Sequence, residues 1–323
     1  MQKEKFKILG RFRDEDGTEK FVFETENGII EVTWIKNKEG IAVFCLPTHH
    51  YCSLGCKFCH ITEENDKTRQ MVPISAESMI EALKFVLDNY IHDNKFLFSF
   101  MGVGEPFLNI DLVFNLYDYF KKNIDKTVGF ALASMVLLPQ PFKRIIEKVK
   151  NENLPLKIHF SLHSPLDKIR KDIIPSASTT IAQCLNALKN YQTIVSSNPV
   201  VIKNLSQFHK RPDAVEIHYT VIDKINDSDK DLTKIIELGK KYKIPLKILK
   251  FNPTKSLNRS PRTEFWFNEL SKNYGAPVCL YAPPGPNIGS SCGQFTKHYY
   301  LGSNSPKELK EFKAWKKQYE IPI

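Results

Sequence analysis

Three cysteines carry the clearest chemistry in this chain. The run Cys52-Ser53-Leu54-Gly55-Cys56-Lys57-Phe58-Cys59 spaces three thiols as C-x3-C-x2-C. Three thiolates so spaced can hold three irons of a 4Fe–4S cluster, which leaves the remaining iron without a protein ligand. An open iron can chelate the amino and carboxylate groups of S-adenosylmethionine and pass an electron to its sulfonium. The same thiols joined by His49, His50 or His60 would make a tetrahedral Cys3His zinc site. The spacing alone leaves both metals open.

A second set of polar residues falls where short apolar runs end. One run ends in Gly102-Val103-Gly104-Glu105-Pro106, where glycines let the backbone approach a ligand and Glu105 can accept from an ammonium. Others end at Ser134, at Ser161-Leu162-His163, at Asp223 and at Asn252-Pro253. One polar ending is uninformative, since loops are polar. Five after a cysteine cluster favour a site, because barrels gather ligand-binding groups at strand ends.

The elements that must position these residues are legible as alternating patterns. Apolar runs span Gly40–Cys45, Lys95–Met101, Val128–Ala133, Leu156–Leu162, Val215–Ile222 and Leu246–Phe251, with helical patterns between them. Ser75 can cap a helix whose Met79, Ile80, Leu83, Val86 and Leu87 share one face. Another helix runs from Asp229 through Leu232, Ile235, Ile236 and Leu238. Six strands alternating with helices predict parallel βα units, hence an α/β fold of the partial (β/α)6 barrel type. Before them lies a β-rich segment, with apolar runs either side of Asn27-Gly28, a hairpin turn pair. Ser196 to Asp213 reads as a long connection. Ser305-Pro306-Lys307-Glu308 resembles a capping box and starts a basic helix with Leu309, Phe312, Trp315 and Tyr319, an aromatic stripe suited to docking. The expected division is a β-rich extension at 1–39, a core at 40–300 and a basic C-terminal helix at 301–323.

Composition narrows the class. The net charge of +10 suits a polyanionic partner, although such charge can simply keep a protein soluble. No apolar run approaches the ~18 residues of a membrane span, and MQKEKFKILGRFRDEDG has no apolar signal-peptide region. A cytoplasmic enzyme is expected, in which clustered cysteines bind metal or react instead of forming disulfides. Cys184 and Cys279 read as core.

At this point the chain resembles the radical-SAM adenosine methyltransferases of the RlmN/Cfr type, over roughly residues 28–296. Phe58 before the last cluster cysteine is typical of radical-SAM enzymes. The landmarks are Phe100-Met101-Gly102-Val103-Gly104-Glu105-Pro106-Phe107-Leu108-Asn109, Ser161-Leu162-His163, Asn252-Pro253 and Ser291-Cys292-Gly293-Gln294. The resemblance implies a 4Fe–4S cluster on Cys52, Cys56 and Cys59, with S-adenosylmethionine held by Gly104, Glu105, Ser134, Ser161, Leu162, His163 and Asn252. It implies that Cys292 accepts a methyl, that Cys45, seven residues before the cluster motif, is the second catalytic cysteine, and that Glu31 is a base. Without the resemblance, Cys45 at a strand end fits packing better, and Glu31 fits a solvated strand face as well as a base.

The implied reaction is methylation of adenine at carbon 2 or carbon 8 in rRNA, tRNA or both. Those carbons are electrophilic, so direct displacement on S-adenosylmethionine does not reach them. Cys292 takes a methyl from one S-adenosylmethionine. A radical from reductive cleavage of another removes hydrogen from that methyl, and the resulting carbon adds to the base. Glu31 removes the ring proton. Cys45 thiolate attacks the bridging sulfur, releasing methylated RNA and leaving a disulfide. The electrons come from a donor such as flavodoxin or ferredoxin. Lys247, Lys250, Lys255, Arg259 and Arg262 bunch near the sixth strand's end as candidate phosphate contacts, or as a solvated basic face.

Two features depart from the family pattern. Only thirty residues precede Glu31, too few for the small helical domain usual there. The basic, Asp-containing stretch usual before the methyl carrier is replaced by Ala282–Ser290. Both fall on substrate recognition. A radical-SAM enzyme with another substrate, and a zinc or RNA-binding module, are the competing readings.

Overall fold

The computed structural model describes residues 6–36, 40–62, 70–91, 93–209, 211, 213–290, 296 and 306–323. The chain divides into two compact units. The first holds Met1–Ser53, His60–Gly129 and Pro284–Ile323; the second holds Leu54–Cys59 and Phe130–Pro283.

In the first unit, β1 (Lys7–Arg13), β2 (Glu19–Thr25), β3 (Gly28–Lys36) and β4 (Ile41–Cys45) form an antiparallel meander. Asn27-Gly28 turns β2 into β3 as the sequence suggests. β5 (Lys95–Phe100) joins β4 in parallel after α1 (Ala76–Tyr90), whose Ser75 hydroxyl accepts from the Ser78 N–H. α2 (Ile110–Asn123) follows β5. Period-two alternation places Phe21, Phe23, Phe44 and Phe98 on one sheet face, all fully buried. Phe23 meets Phe85 of α1 at 5.7 Å and Phe98 meets Phe120 of α2 at 4.6 Å. Each such ring stabilises the fold by roughly 1.5–3 kcal/mol relative to an exposed one.

In the second unit five parallel strands stand in the order β10-β9-β8-β7-β6. These are β6 (Thr127–Ser134, from Phe130 onward), β7 (Leu156–Ser161), β8 (Val215–Thr220), β9 (Leu246–Leu249) and β10 (Val278–Tyr281). Their helices are α3 (Pro139–Glu152), α4 (Asp167–Ile173), α5 (Ile181–Ser196), α6 (Pro199–Leu205), α7 (Asp229–Tyr242) and α8 (Thr263–Asn273). From β4 to β9 every parallel strand is followed by at least one helix. That is the six-fold βα succession of a partial (β/α)6 barrel, and neither unit's sheet closes on itself.

Two expectations change. Ser196 to Asp213 contains α6, with Asn198 accepting from the Val200 and Val201 N–H groups and Pro199 opening the helix. Cys279 is exposed: it lies on β10, at the end of the strand order, where residues alternate between half-buried and exposed. Its apolar neighbours in sequence gave the opposite impression. Cys184 is buried as expected, beside the Thr179 hydroxyl. The helix after Pro306, α9 (Pro306–Tyr319), does dock: Phe312, Trp315 and Tyr319 pack on Phe12, Val22, Ile29 and Ile288. Ser305, its expected cap, lies outside the described residues.

Gly239 on α7 has no room for a side chain. A Cβ there would meet the Tyr274 ring at 2.2 Å and its carbonyl oxygen at 2.4 Å. Alanine is the better helix former, yet Gly239→Ala is expected to destabilise the protein by about 1–3 kcal/mol through this clash. Urea titration of both proteins checks it.

Candidate active site

The first unit brings Glu31 and Cys45 onto one sheet face. Thr33 lies opposite both Lys20 and Cys45 in register, so the three make one row across β2, β3 and β4. Glu31, two residues before Thr33, points to the same side. Lys20 is fully buried, and its ammonium donates to Glu31 Oε2 at 2.5 Å and to the Gly289 carbonyl at 2.6 Å. The other Glu31 oxygen accepts from the Thr296 N–H at 2.7 Å and from its hydroxyl. Cys292 lies outside the described residues, between these two attachments.

The stretch before Gly289 has no carboxylate of its own, but the β1–β2 turn supplies two. Asp14 accepts from the Asn287 and Ile288 N–H groups at 2.7 and 3.1 Å, and Asp16 accepts from the Gly285 N–H at 2.7 Å. Burial opposes ionisation of Asp16, yet the Gly285 N–H and Thr18 hold its carboxyl below the ordinary value. From α9, Trp315 Nε1 donates to the Asn287 carbonyl at 2.7 Å.

Burial pushes the Cys45 thiol up to about 11, against the pull of the Lys20 ammonium and the Met101 N–H. Gly102 and Gly104 serve chain packing. A Cβ on Gly104 would meet His49 Nδ1 at 2.4 Å and Thr48 Oγ1 at 2.5 Å, and one on Gly102 would meet the Leu46 carbonyl at 2.8 Å. Glu105 is buried and accepts from the Phe107 N–H at 3.1 Å. His49 shares a 2.9 Å hydrogen bond with Thr48, and burial, then His50, push it down to about 4. His50 Nδ1 donates to the Ile29 carbonyl at 3.0 Å.

Cys52 belongs to the first unit; Cys56 and Cys59 belong to the second. There the Cys59 N–H closes a turn onto the Cys56 carbonyl at 3.0 Å, and Gly55 takes a positive φ of 76°. Cys56 packs with Ile173, Ile174 and Ala177 and lies 3.1 Å from the Met135 sulfur. Phe58 meets the His163 ring edge-on at 4.7 Å.

His163 has a left-handed φ of 52°, unusual for a residue with a side chain. Its Nδ1 accepts from the Thr220 N–H at 3.2 Å, and Asn226 donates to its carbonyl at 2.6 Å. Burial, then Arg170 and His218, push the ring down to about 3. It is therefore neutral, with its proton on Nε2. Ser134 is buried and spends its hydroxyl on Val136 of its own loop. Ser161 and Leu162 present carbonyls to Arg170, which also donates to the Met135 carbonyl at 2.6 Å. Asn252 follows β9 and is partly buried.

Sequence reasoning passed over Lys20, Arg170 and a buried polar cluster. In the cluster, Glu216 receives Lys247 at 2.6 Å, His218 at 3.1 Å and Lys157 at 3.2 Å, with His159 Nδ1 at 3.4 Å. His159, Glu216 and His218 are close enough to share a cation, but two ammonium groups already balance the carboxylate. The signal was present as Lys157-x-His159 and Glu216-x-His218, polar residues at period two inside runs read as apolar.

The Radical SAM superfamily profile matches residues 46–216. The chain belongs to the Radical SAM superfamily. Its cofactors are accordingly a 4Fe–4S cluster and S-adenosylmethionine, and the donor chemistry suits the cluster: Cys52, Cys56 and Cys59 offer soft thiols, none engaged in a disulfide. Among curated proteins, the chain is 26% identical over 292 residues to the probable dual-specificity RNA methyltransferase RlmN of Clostridium novyi, covering 88% of this chain and 77% of that protein. It is 28% identical over 286 residues to the protein so named in Pseudothermotoga lettingae, covering 86% and 76%. Among solved structures, a radical SAM methyltransferase from Sphaerobacter thermophilus superposes with a TM-score of 0.72 at 20% identity, over 90% of this chain and 80% of that one. This likeness shows the shared fold.

The raised Cys45 thiol makes a direct prediction. Because its thiolate fraction rises tenfold per pH unit until about 11, alkylation of Cys45 is expected to climb log-linearly from pH 7 through pH 9.5. Peptide mapping by mass spectrometry after timed iodoacetamide exposure checks it. A profile that bends near pH 8.5 and levels off about one unit higher, the behaviour of an ordinary thiol, would contradict it.

Proposed function

We propose that this protein methylates an adenine ring carbon, carbon 2 or carbon 8, in rRNA or tRNA through a methylated Cys292. One observation carries the reading. Glu31 and Cys45 share a buried sheet face, and the segment bearing Cys292 is tied to that face on both sides, at Gly289 and Thr296. The RlmN names of the relatives support the same substrate class.

The cluster on Cys52, Cys56 and Cys59 and the bound S-adenosylmethionine supply the methyl group and the radical chemistry. This chain's residues do the rest. Cys292 carries the carbon, and Glu31, held between Lys20 and Thr296, receives the ring proton once a contact is exchanged. Cys45, opposite Thr33, attacks the Cys292 sulfur: a sulfur–sulfur bond forms and the carbon–sulfur bond breaks. Gly104, Glu105, Ser161, Leu162, His163 and Asn252 are proposed as the S-adenosylmethionine shell. Ser134 takes a shaping role there, since its hydroxyl is used within its loop. No described helix is long and apolar enough to cross a membrane. We infer a cytoplasmic enzyme served by a flavodoxin- or ferredoxin-like donor, because its RNA substrate and its reductant are both found there.

A second reading keeps the core and changes the substrate. It is favoured by the basic bunch around β9, which is largely spent internally. Lys247 pairs with Glu216, Lys250 with Glu264 at 2.9 Å and Arg262 with Asp229, while Arg259 donates to the Phe251 carbonyl.

Two variants separate the steps of the cycle. Cys292→Ala is expected to lack the carried methyl and never to link to RNA. Cys45→Ala is expected to accept the methyl, add to the base and stall as a protein–RNA adduct on denaturing gels, under anaerobic conditions with reductant and S-adenosylmethionine. Normal turnover by Cys45→Ala would end the two-cysteine reading. Nucleoside mass spectrometry of RNA from cells with and without the protein then identifies the carbon.

Salt separates the two substrates. Single-stranded RNA binding is expected to weaken with a log–log slope of about −0.7 to −2, one to three phosphate contacts at roughly 0.7 each. Binding that is flat with salt would favour a small-molecule substrate.

A further inference from the structure

The geometry points to Lys20 as a positioning residue of the methyl-transfer site. Its single ammonium ties the strand carrying Glu31 to the backbone entering the Cys292 segment, and sets a positive charge on the face that carries Cys45. The inference rests on the reading of Cys292 as the methyl carrier.

A lysine with no exposed surface is expensive unless its charge is paired and its protons are accepted. At the same sheet position a methionine would fill the space without that cost. Lys20 makes two short contacts of different kinds, an ion pair to Glu31 at 2.5 Å and a hydrogen bond to the Gly289 carbonyl at 2.6 Å. The Gly289 contact spans 269 residues of sequence, and the Glu31–Thr296 contact spans 265. Lys20 and Glu31 thus work as one two-ended clamp, with the ammonium holding the chain before Cys292 and the carboxylate holding it after.

Register adds the third connection. Lys20 and Cys45 both lie opposite Thr33, so the ammonium and the thiol stand on the same face of adjacent strands. The positive charge favours the Cys45 thiolate while the neighbouring Glu31 opposes it, and of the two the lysine has the larger effect. One cation therefore touches Glu31, holds the approach to Cys292 and favours ionisation of Cys45. Glu31 is implied as the base; its partner lysine is what lets a carboxylate sit buried on this face and keep its link to Thr296.

The test uses full-length, anaerobically purified holoenzyme with Lys20→Met, Lys20→Arg and the double change Lys20→Met with Glu31→Gln. The double variant leaves no unpaired buried charge, so it guards against simple misfolding. Three readouts are taken: hydrogen exchange of amides across 285–296, the pH profile of Cys45 alkylation, and intact mass for the carried methyl. Lys20→Met is expected to keep the cluster's absorption spectrum, to exchange amides at 285–296 at least about tenfold faster, and to lower Cys45 alkylation at pH 8 roughly threefold to tenfold. Lys20→Arg is expected to restore the alkylation profile while leaving exchange partly raised. The double variant is expected to show the raised exchange with wild-type secondary structure. Exchange and alkylation profiles unchanged in both Lys20→Met proteins would overturn the proposal. A wild-type protein without a methyl on Cys292 would instead sink the methyl-carrier reading, and the exchange and alkylation results would still decide whether Lys20 holds the segment and tunes Cys45.

Discussion

Burying charge on the inward face of a sheet is the constraint under which the rest of this fold is arranged. A carboxylate or ammonium removed from water needs a partner of opposite sign and full use of its hydrogen-bonding positions. Each unit solves this in its own sheet. In the first, Lys20 and Glu31 neutralise each other and spend their remaining capacity on the chain near Gly289 and Thr296. In the second, Glu216 is ringed by Lys157 and Lys247 of the two neighbouring strands and by His218 of its own. The opposite face of the first sheet is apolar and carries α1 and α2, while α9 packs on Phe12, Val22 and Ile29 of the charged face itself. That asymmetry gathers the polar groups of each sheet on one face.

Strand ends in the second unit are organised by a buried cation of another kind. Arg170 collects the carbonyls of Met135, Ser161 and Leu162, so the ends of β6 and β7 are held by one planar group. His163 then turns left-handed, and Asn226 and the Thr220 N–H take up its carbonyl and its Nδ1. A neutral imidazole with a defined tautomer is the outcome, stacked edge-on with the aromatic ring of the cysteine loop. Backbone carbonyls at the ends of parallel strands lack strand partners, and a guanidinium satisfies several of them at once.

The six strands were readable because each is a short run dense in Val, Ile, Leu and Phe, and the cysteine spacing was readable because ligand spacing is local. Asn198-Pro199, a cap followed by a first-turn proline, was a readable start for α6 that the loop-like composition around it obscured. Cys279 misled because apolar neighbours say nothing about whether a strand stands at an edge. Lys20, Arg170 and Glu216 were passed over for a shared reason: their meaning lies mainly in partners on other elements, which only the fold brings to them. Gly104 was readable as a site of close approach, but the approaching atoms belong to Thr48 and His49. The basic bunch at β9 was visible as charge, while its internal pairing needed the fold.

The pairing of β1 with β11 (Glu320–Ile321) carries a consequence for how the protein is made. Arg11 stands opposite Ile321 and Phe12 opposite Glu320, so the first strand is completed by the last. Phe12, Asp14 and Lys20 all wait for residues beyond 284 to cover or engage them. During synthesis every strand of the second unit has been made before β11 is, so the early meander leaves the ribosome without the residues that engage Lys20 and the β1 edge. Contacts this distant in sequence close slowly. A nascent chain halted before α9 therefore carries Phe12, Val22 and Ile29 without the aromatic cover of Phe312, Trp315 and Tyr319, and β1 without its outer partner.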